Sequence, residues 1–374
     1  MEAPATEWDL EAPSLVVIPD RYEESVEDAF ASMSMRRRIA QRFVVYVPRE
    51  IGVHRAGDDD AVAAQAFAKD IWREQPAGFI VYPWNYRSRE DAALVIAKLQ
   101  RLRLPHGPGF LVSADQEGGR VAAFRFSDMV RLPSAARVGS YDDPAFVEAL
   151  AYVTGRELAA LGVNMNLAPV LDLSDRADGG IIGDRSFGGA PDRVAAMGEA
   201  YLRGMERAGI ITSAKHFPGH GVTEVDSHGR LPIVDYTLED LRERELLPFS
   251  AAVEAGVPTI MTAHILFPGI DDQWPVTISP AFIRGVLRTD LDFSGVVISD
   301  GLAMGALADN YDLDETLHRA IRYGVDIILV HSQYDLVDLI DRVERFLTEG
   351  TLSPADIDRG TRRVLTLKAR YGLL

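Results

Sequence analysis

Eight short runs of β-branched and aromatic residues, each followed by a stretch of helical periodicity, constrain this chain more than any other feature. The runs are Arg42–Val47, Gly78–Tyr82, Gly109–Ala114, Val163–Val170, Ile210–Ala214, Pro258–Ala263, Gly295–Ser299 and Val325–Val330. The stretches predicted as helices are Asp60–Glu74, Ser88–Leu102, Pro144–Leu161, Pro191–Ala208, Thr237–Ala255, Ser279–Leu287, Leu313–Tyr323 and Gln333–Thr348. In these, apolar residues recur at roughly three-to-four spacing, as in Leu94, Ile96-Ala97 and Leu99–Leu102. Strands that alternate with helices pair in parallel, because a parallel return needs a crossover. Runs such as Val296-Val297-Ile298 and Ile327-Ile328-Leu329-Val330 are apolar on both faces, as strands covered on both sides must be.

Eight such units predict an α/β fold, a single (β/α)8 barrel. An open doubly wound sheet competes, but no G-x-G-x-x-G follows the first strand and there is no P-loop. The catalytic barrel is expected over residues 36–374. Residues 1–35 read as an irregular surface extension, and Ser353–Tyr371 as one or two closing helices.

In a barrel the chemistry sits at the C-terminal ends of the strands. Polar residues gather there. The third run ends in Asp115-Gln116-Glu117-Gly118-Gly119-Arg120, and the fourth leads to Asp172 and Gly183-Asp184-Arg185-Ser186-Phe187. The fifth ends in Lys215-His216, the sixth in His264 and the seventh in Ser299-Asp300. The opposite ends carry mostly Gly, Pro and small residues. The densest segment is Lys215-His216-Phe217-Pro218-Gly219-His220-Gly221, followed by Asp226-Ser227-His228. Its proline and glycines make it a loop. Asp226 lies two residues before His228, so in a turn it can orient the imidazole and support its cation.

Two chemistries fit these residues. His216, His220, Asp226, His228, His264 and Asp300 could ligate a divalent ion, although the spacing is loose and Lys215 would repel the metal. Alternatively the site transfers a glycosyl group to water. That needs one carboxylate that stays ionised and a separate proton donor. Asp300 suits the first role, with Lys215, Arg185 and the histidines holding its pKa down. His228 suits the second, since an imidazole titrates near neutrality. Asp300 as a helix N-cap and His264 as a satisfied core histidine are the structural alternatives.

Composition narrows the partners. With 39 Lys and Arg against 56 Asp and Glu the net charge is −17, which repels nucleic acid. No stretch of 18 apolar residues predicts a membrane span, and the acidic N-terminus does not read as a signal peptide, so a cytoplasmic location is expected. Cysteine is absent, which removes disulfides, thiol nucleophiles and thiolate metal sites.

The Lys215–Gly221 segment with Asp226-Ser227-His228 resembles the signature of the β-N-acetylglucosaminidase branch of glycoside hydrolase family 3. Asp115–Val121, Gly183–Phe187 and Ser299-Asp300-Gly301-Leu302-Ala303-Met304 match the same family in the same order, within a resemblance running from about residue 35 to 330. The resemblance implies a (β/α)8 barrel, Asp300 as nucleophile, and His228 as acid/base paired with Asp226. It implies sugar contacts from Asp115, Arg185, Lys215 and His216, and Arg125 and His264 are added as candidate substrate contacts. Close relatives place a further substrate-binding arginine three residues past the arginine of the Gln-Glu-Gly-Gly-Arg motif. Here that position is Ala123, with Arg125 two further on, and an Arg-Asn pair of those relatives is Trp84-Asn85.

The expected activity is therefore that of a retaining exo-β-N-acetylglucosaminidase acting on GlcNAc-containing oligosaccharides, without metal or organic cofactor. A phosphorylase using phosphate as acceptor, a β-glycosidase of altered sugar specificity and a non-catalytic sugar-binding protein are the alternatives.

Overall fold

The structure is a computed structural model that describes residues 8–11, 16–51, 58–174, 181–221, 223, 226–227, 229–331 and 333–374. Eight parallel strands close into a barrel. They are β1 (Phe43–Tyr46), β2 (Gly78–Ile80), β3 (Leu111–Ala114), β4 (Met165–Asn166), β5 (Ile211–Phe217), β6 (Thr259–Thr262), β7 (Val296–Gly301) and β8 (Ile327–Val330). Neighbours in the chain are neighbours in the sheet, and the ring closes where Phe43, Val44 and Val45 pair with Ile328, Leu329 and Val330. All eight expected strands form. Strand β4 is shorter than its run because Pro169 has no N–H to give the ladder.

Side chains alternate between two cores. Val44, Ile80, Leu111, Met165, Ile211, Met261, Ile298 and Leu329 fill the lumen. Phe43, Val45, Phe79, Val112, Ile260 and Val297 face outward into the helical layer. A barrel needs both, which is why the strands read as nearly continuous apolar runs.

Three local features depart from expectation. The helix expected over Thr237–Ala255 is interrupted by a π-helical turn at Leu241–Glu245 before Leu247–Glu254. Pro248 explains this, because it cannot donate to the carbonyl four residues back. A small antiparallel hairpin, Gln116–Gly118 with Val121–Ala122, stands on the end of β3. Residues 1–35 are not wholly irregular either. Asp20–Ala31 is a helix whose Val26 and Phe30, with Met33, pack on Leu365 of the closing helix Pro354–Arg370. Its periodicity is masked in sequence by the charges of DRYEESVEDAFA, only two of which residues are buried.

Among the described residues no helix is long and apolar enough to cross a membrane.

Candidate active site

The C-terminal rim of the barrel assembles a chain of alternating charges. Lys215, at the end of β5, is buried and its Nζ lies 2.7 Å from Asp115 Oδ1 and 2.6 Å from Glu117 Oε1. Glu117 accepts both arms of Arg185 at 2.8 Å, through Nε and Nη2. Arg185 Nη2 reaches His216 Nε2 at 3.3 Å, and His216 Nδ1 meets Asp172 Oδ2 at 2.6 Å. Asp172 Oδ1 accepts the backbone N–H of His216 at 3.1 Å and that of His220 at 2.7 Å. Five segments thus converge: the ends of β3, β4 and β5, the hairpin, and the 183–185 turn. Arg120 secures that turn, pairing with Asp184 at 3.1 Å and donating to the carbonyl of Ile181 at 2.7 Å.

These contacts set the charge states. Burial alone would raise Glu117, but Lys215 and Arg185 hold its carboxyl down at about 2. Burial would also raise Asp172; the His216 ring and the His220 N–H hold it below the usual range. Desolvation opposes the Lys215 ammonium, and Asp115 and Glu117 outweigh it, raising its pKa.

Asp300 lies in the last turn of β7, its Oδ1 accepting the Gly301 N–H at 2.8 Å. Burial works against its charge. The imidazoles of His216 and His264, the Gly301 N–H and Lys215 together overcome that and keep the carboxyl below its ordinary value. It is no helix cap, because the helix that follows starts at Gly305 with Met304 at its N-cap.

Of the expected sugar contacts, Asp115, Arg185, Lys215 and His216 come together in one network. His264 and Arg125 do not join it. His264 is fully buried, with Nδ1 2.7 Å from Thr277 Oγ1 and Nε2 3.1 Å from the Gly301 carbonyl. Both ring nitrogens are engaged within the protein, so its influence falls on the Asp300 turn from beneath. Arg125 curls back onto its own hairpin, donating to the carbonyls of Ala122 and Arg120. It lines a cavity of about 450 Å³ with Gln116, Phe124, Phe126 and Met129, apart from Asp300. Ala123 is buried, and its N–H bonds the Asp115 carbonyl at 2.9 Å.

The loop after β5 leads back to the segment that follows Asp300. Asp226 is exposed, and His228 lies outside the described residues. The residues around it are informative. Ser227 is buried and its Oγ meets His220 Nε2 at 2.9 Å. Its carbonyl accepts the Ala306 N–H at 3.1 Å, and a Cβ on Gly305 would lie 3.0 Å from the Gly229 carbonyl. Thus 227 and 229 dock on the segment that directly follows Asp300. Gly221 permits the approach on the other side, where a Cβ would fall 1.7 Å from the Leu173 carbonyl.

Glu117, Tyr46 and Tyr82 are site residues that sequence reasoning did not single out. Glu117 had a signal, since two-residue strand spacing sets it beside Asp115. The tyrosines end β1 and follow β2. Both are pushed up by burial, and the charges of Asp115 and Asp300 add to this. Trp84 stacks on Tyr82, with ring centroids 4.3 Å apart and planes within 11°. Asn85 is buried and ties this corner together, donating to the carbonyls of Val47 and Pro48.

Two of the histidines considered for a metal are engaged elsewhere. His220 and His264 spend both ring nitrogens on protein hydroxyl and carbonyl groups. Among the described residues no three His, Asp or Glu side chains are arranged to hold an ion.

Comparison with known proteins agrees with this architecture. Residues 35–367 match the glycosyl hydrolase family 3 N-terminal domain. The chain belongs to glycosyl hydrolase family 3. It is a glycoside hydrolase, similar to the beta-hexosaminidase of Chromobacterium violaceum, 34% identical over 267 residues that cover 70% of this chain and 73% of that protein. The beta-hexosaminidase of Thiobacillus denitrificans is 37% identical over the same length and shares. Among solved structures, a family 3 beta-N-acetylglucosaminidase from Paenibacillus sp. superposes with a TM-score of 0.82 at 33% identity. That match covers 91% of this chain, which spans 63% of the Paenibacillus chain. LpqI of M tuberculosis gives 0.80 at 29% identity, covering 95% of this chain and 98% of its own.

Proposed function

We propose that the protein is a retaining exo-β-N-acetylglucosaminidase. The non-reducing GlcNAc of an oligosaccharide enters the barrel mouth, where Asp115, Arg185, Lys215 and His216 bind its hydroxyls. Asp300 attacks the anomeric carbon while the His228 imidazolium, oriented by Asp226, protonates the departing glycosidic oxygen. The C–O bond breaks and a glycosyl-aspartate forms. Neutral His228 then takes a proton from water, which attacks the same carbon and frees Asp300, and configuration is retained.

The observation that carries this reading is the docking of residues 227 and 229 onto Gly305 and Ala306. It sets residues 227 and 229 beside the segment that follows the partly exposed Asp300, whose carboxyl is held below its ordinary value. The names of the curated relatives support the choice of an amino sugar.

The test is hydrolysis of nitrophenyl β-GlcNAc, β-GalNAc and β-glucose and of chitobiose, with and without phosphate. GlcNAc release independent of phosphate is expected. For Asp300→Ala, kcat should fall at least about 10³-fold with the fold intact. Sugar 1-phosphate as the product would make the enzyme a phosphorylase, and full activity of Asp300→Ala would remove Asp300 from the mechanism.

A further inference from the structure

One buried acid near the site has no part in the charge network. Glu245 closes the π-helical turn Leu241–Glu245 and is 1% exposed. Its Oε2 is buried and has no hydrogen-bond partner. Among the described residues its Oε1 has Arg244 Nε as its ionic neighbour, at 3.9 Å, and the Arg244 side chain is mostly in solvent. The carboxyl points at the start of the acid/base loop. Gly219 has φ +138°, and a Cβ there would lie 3.1 Å from both Glu245 Cβ and Oε2. Gly219 closes a turn onto the His216 carbonyl at 2.8 Å, and the next residue, His220, is held by Asp172. The helix beneath is fixed to the same place by Phe249, which meets the Phe217 ring edge-on at 5.5 Å.

We propose that Glu245 is a positioning residue for the acid/base loop, filling the notch at Gly219 as a neutral carboxylic acid and bracing the turn from which residues 220–230 depart. The proposal rests on the role assigned to that loop above. The neutral form follows from geometry, because a carboxylate with one bare oxygen inside protein is strongly disfavoured. Burial, opposed weakly by Arg244 and reinforced by Asp172, pushes its pKa up to about 7. Arg244 on its own element and Asp172 from the segment after β4 are the charges that bear on it. Ionisation sets a second negative charge near Asp172, the group that anchors His216 and His220. The brace then repels what it supported. A π-turn created by Pro248 is thereby given a task, as such turns often are near functional sites.

The test compares wild type, Glu245→Gln and Glu245→Ala with nitrophenyl β-GlcNAc from pH 5 to 9. Wild-type kcat/KM should fall on the alkaline side with the loss of two protons, from His228 and Glu245. Glu245→Gln, which keeps the shape and cannot ionise, should fall with the loss of one. At pH 6 it should stay within about threefold of wild type. Glu245→Ala should lose kcat about tenfold at pH 6 with KM nearly unchanged, since the sugar-binding network is untouched, and the deficit should shrink above pH 7, where wild-type Glu245 is ionised and no longer braces the turn. Superimposable pH profiles for wild type and Glu245→Gln would overturn the proposal. Infrared difference spectra provide a readout independent of turnover. A protonated-carboxyl band present in wild type at pH 6, absent at pH 9 and absent from Glu245→Gln supports the brace; its absence from wild type at pH 6 refutes it. Should wild type fail to hydrolyse the glycoside, the proposed activity fails while the infrared result still decides the state of Glu245.

Discussion

Carboxylates at one barrel mouth behave differently because their neighbours differ. Glu117 sits between two cations and Asp172 between an imidazole and two backbone N–H groups. Both are structural anions that aim the groups proposed to touch sugar. Among the described residues no side chain clamps Asp300 in this way; its carboxyl accepts one short backbone bond, and the neighbouring His216, His264 and Lys215 hold it below its ordinary value. The proposed nucleophile needs that, because a direct ion pair would compete with the anomeric carbon. Glu117→Gln tests the division of labour. Removing one charge from this buried cluster takes away the one carboxylate that bonds both Lys215 and Arg185, which should cost about 3 kcal/mol of stability. Denaturant unfolding would show this. KM should rise more than kcat falls, because the sugar clamps loosen while Asp300 stays in place. A loss confined to kcat would instead make Glu117 part of the chemistry. The sequence announced Asp115, Lys215, His216 and Asp300 because each sits at a strand end. It hid the conduct of Arg125 and His264. Arg125 is spent on hairpin carbonyls, and the pairing that forms that hairpin cannot be read from the seven-residue stretch Gln116–Ala122.

At the scale of elements, the strands were legible because both of their faces are buried, so each reads as an unbroken apolar run. The helix Asp20–Ala31 was not, since it offers the fold a narrow stripe, Val26 and Phe30, amid acidic residues. The stripe nevertheless has a specific seat. The Arg38 and Arg362 guanidiniums lie 3.8 and 3.7 Å from the centroid of the Phe30 ring, and Arg362 Nε bonds Glu27 at 2.8 Å. Phe30→Ala should therefore cost about 3 kcal/mol, combining the lost ring with the two cation–π contacts. The helix rests on Pro354–Arg370, which supports the barrel from the end opposite the site. Activity at 25 °C should be unchanged while the thermal midpoint falls by several degrees. A matching loss of kcat would show that this helix reaches the active rim.

The whole molecule has proton-linked terms of opposite sign at its two ends. Asp172, Glu117 and Asp300 are all held below their unfolded values, so their contribution is present above about pH 4 and is lost as the pH falls through the folded values. Glu245 works the other way. Its folded pKa, about 7, lies above the unfolded value, so the folded state holds the extra proton and stability declines as pH rises toward 7. At the far end of the barrel Lys368 is fully buried, its Nζ donating to Gln41 Oε1 at 2.8 Å, and burial lowers its pKa to about 7. The unfolded chain keeps that proton up to about pH 10, so unfolding takes up a proton between 7 and 10 and stability rises with pH there. Denaturant unfolding should accordingly give a shallow minimum near neutrality, each limb on the order of 2–4 kcal/mol. Lys368→Met should flatten the alkaline limb and leave the acid one. Its absolute offset is set separately, by the bond that Gln41 Oε1 loses, at about 1–2 kcal/mol. Glu245→Gln should flatten the limb between pH 5 and 7 alone. Were Lys368→Met to flatten both, the two ends would be coupled through the barrel wall, and the independence of binding rim and closing helix would have to be abandoned.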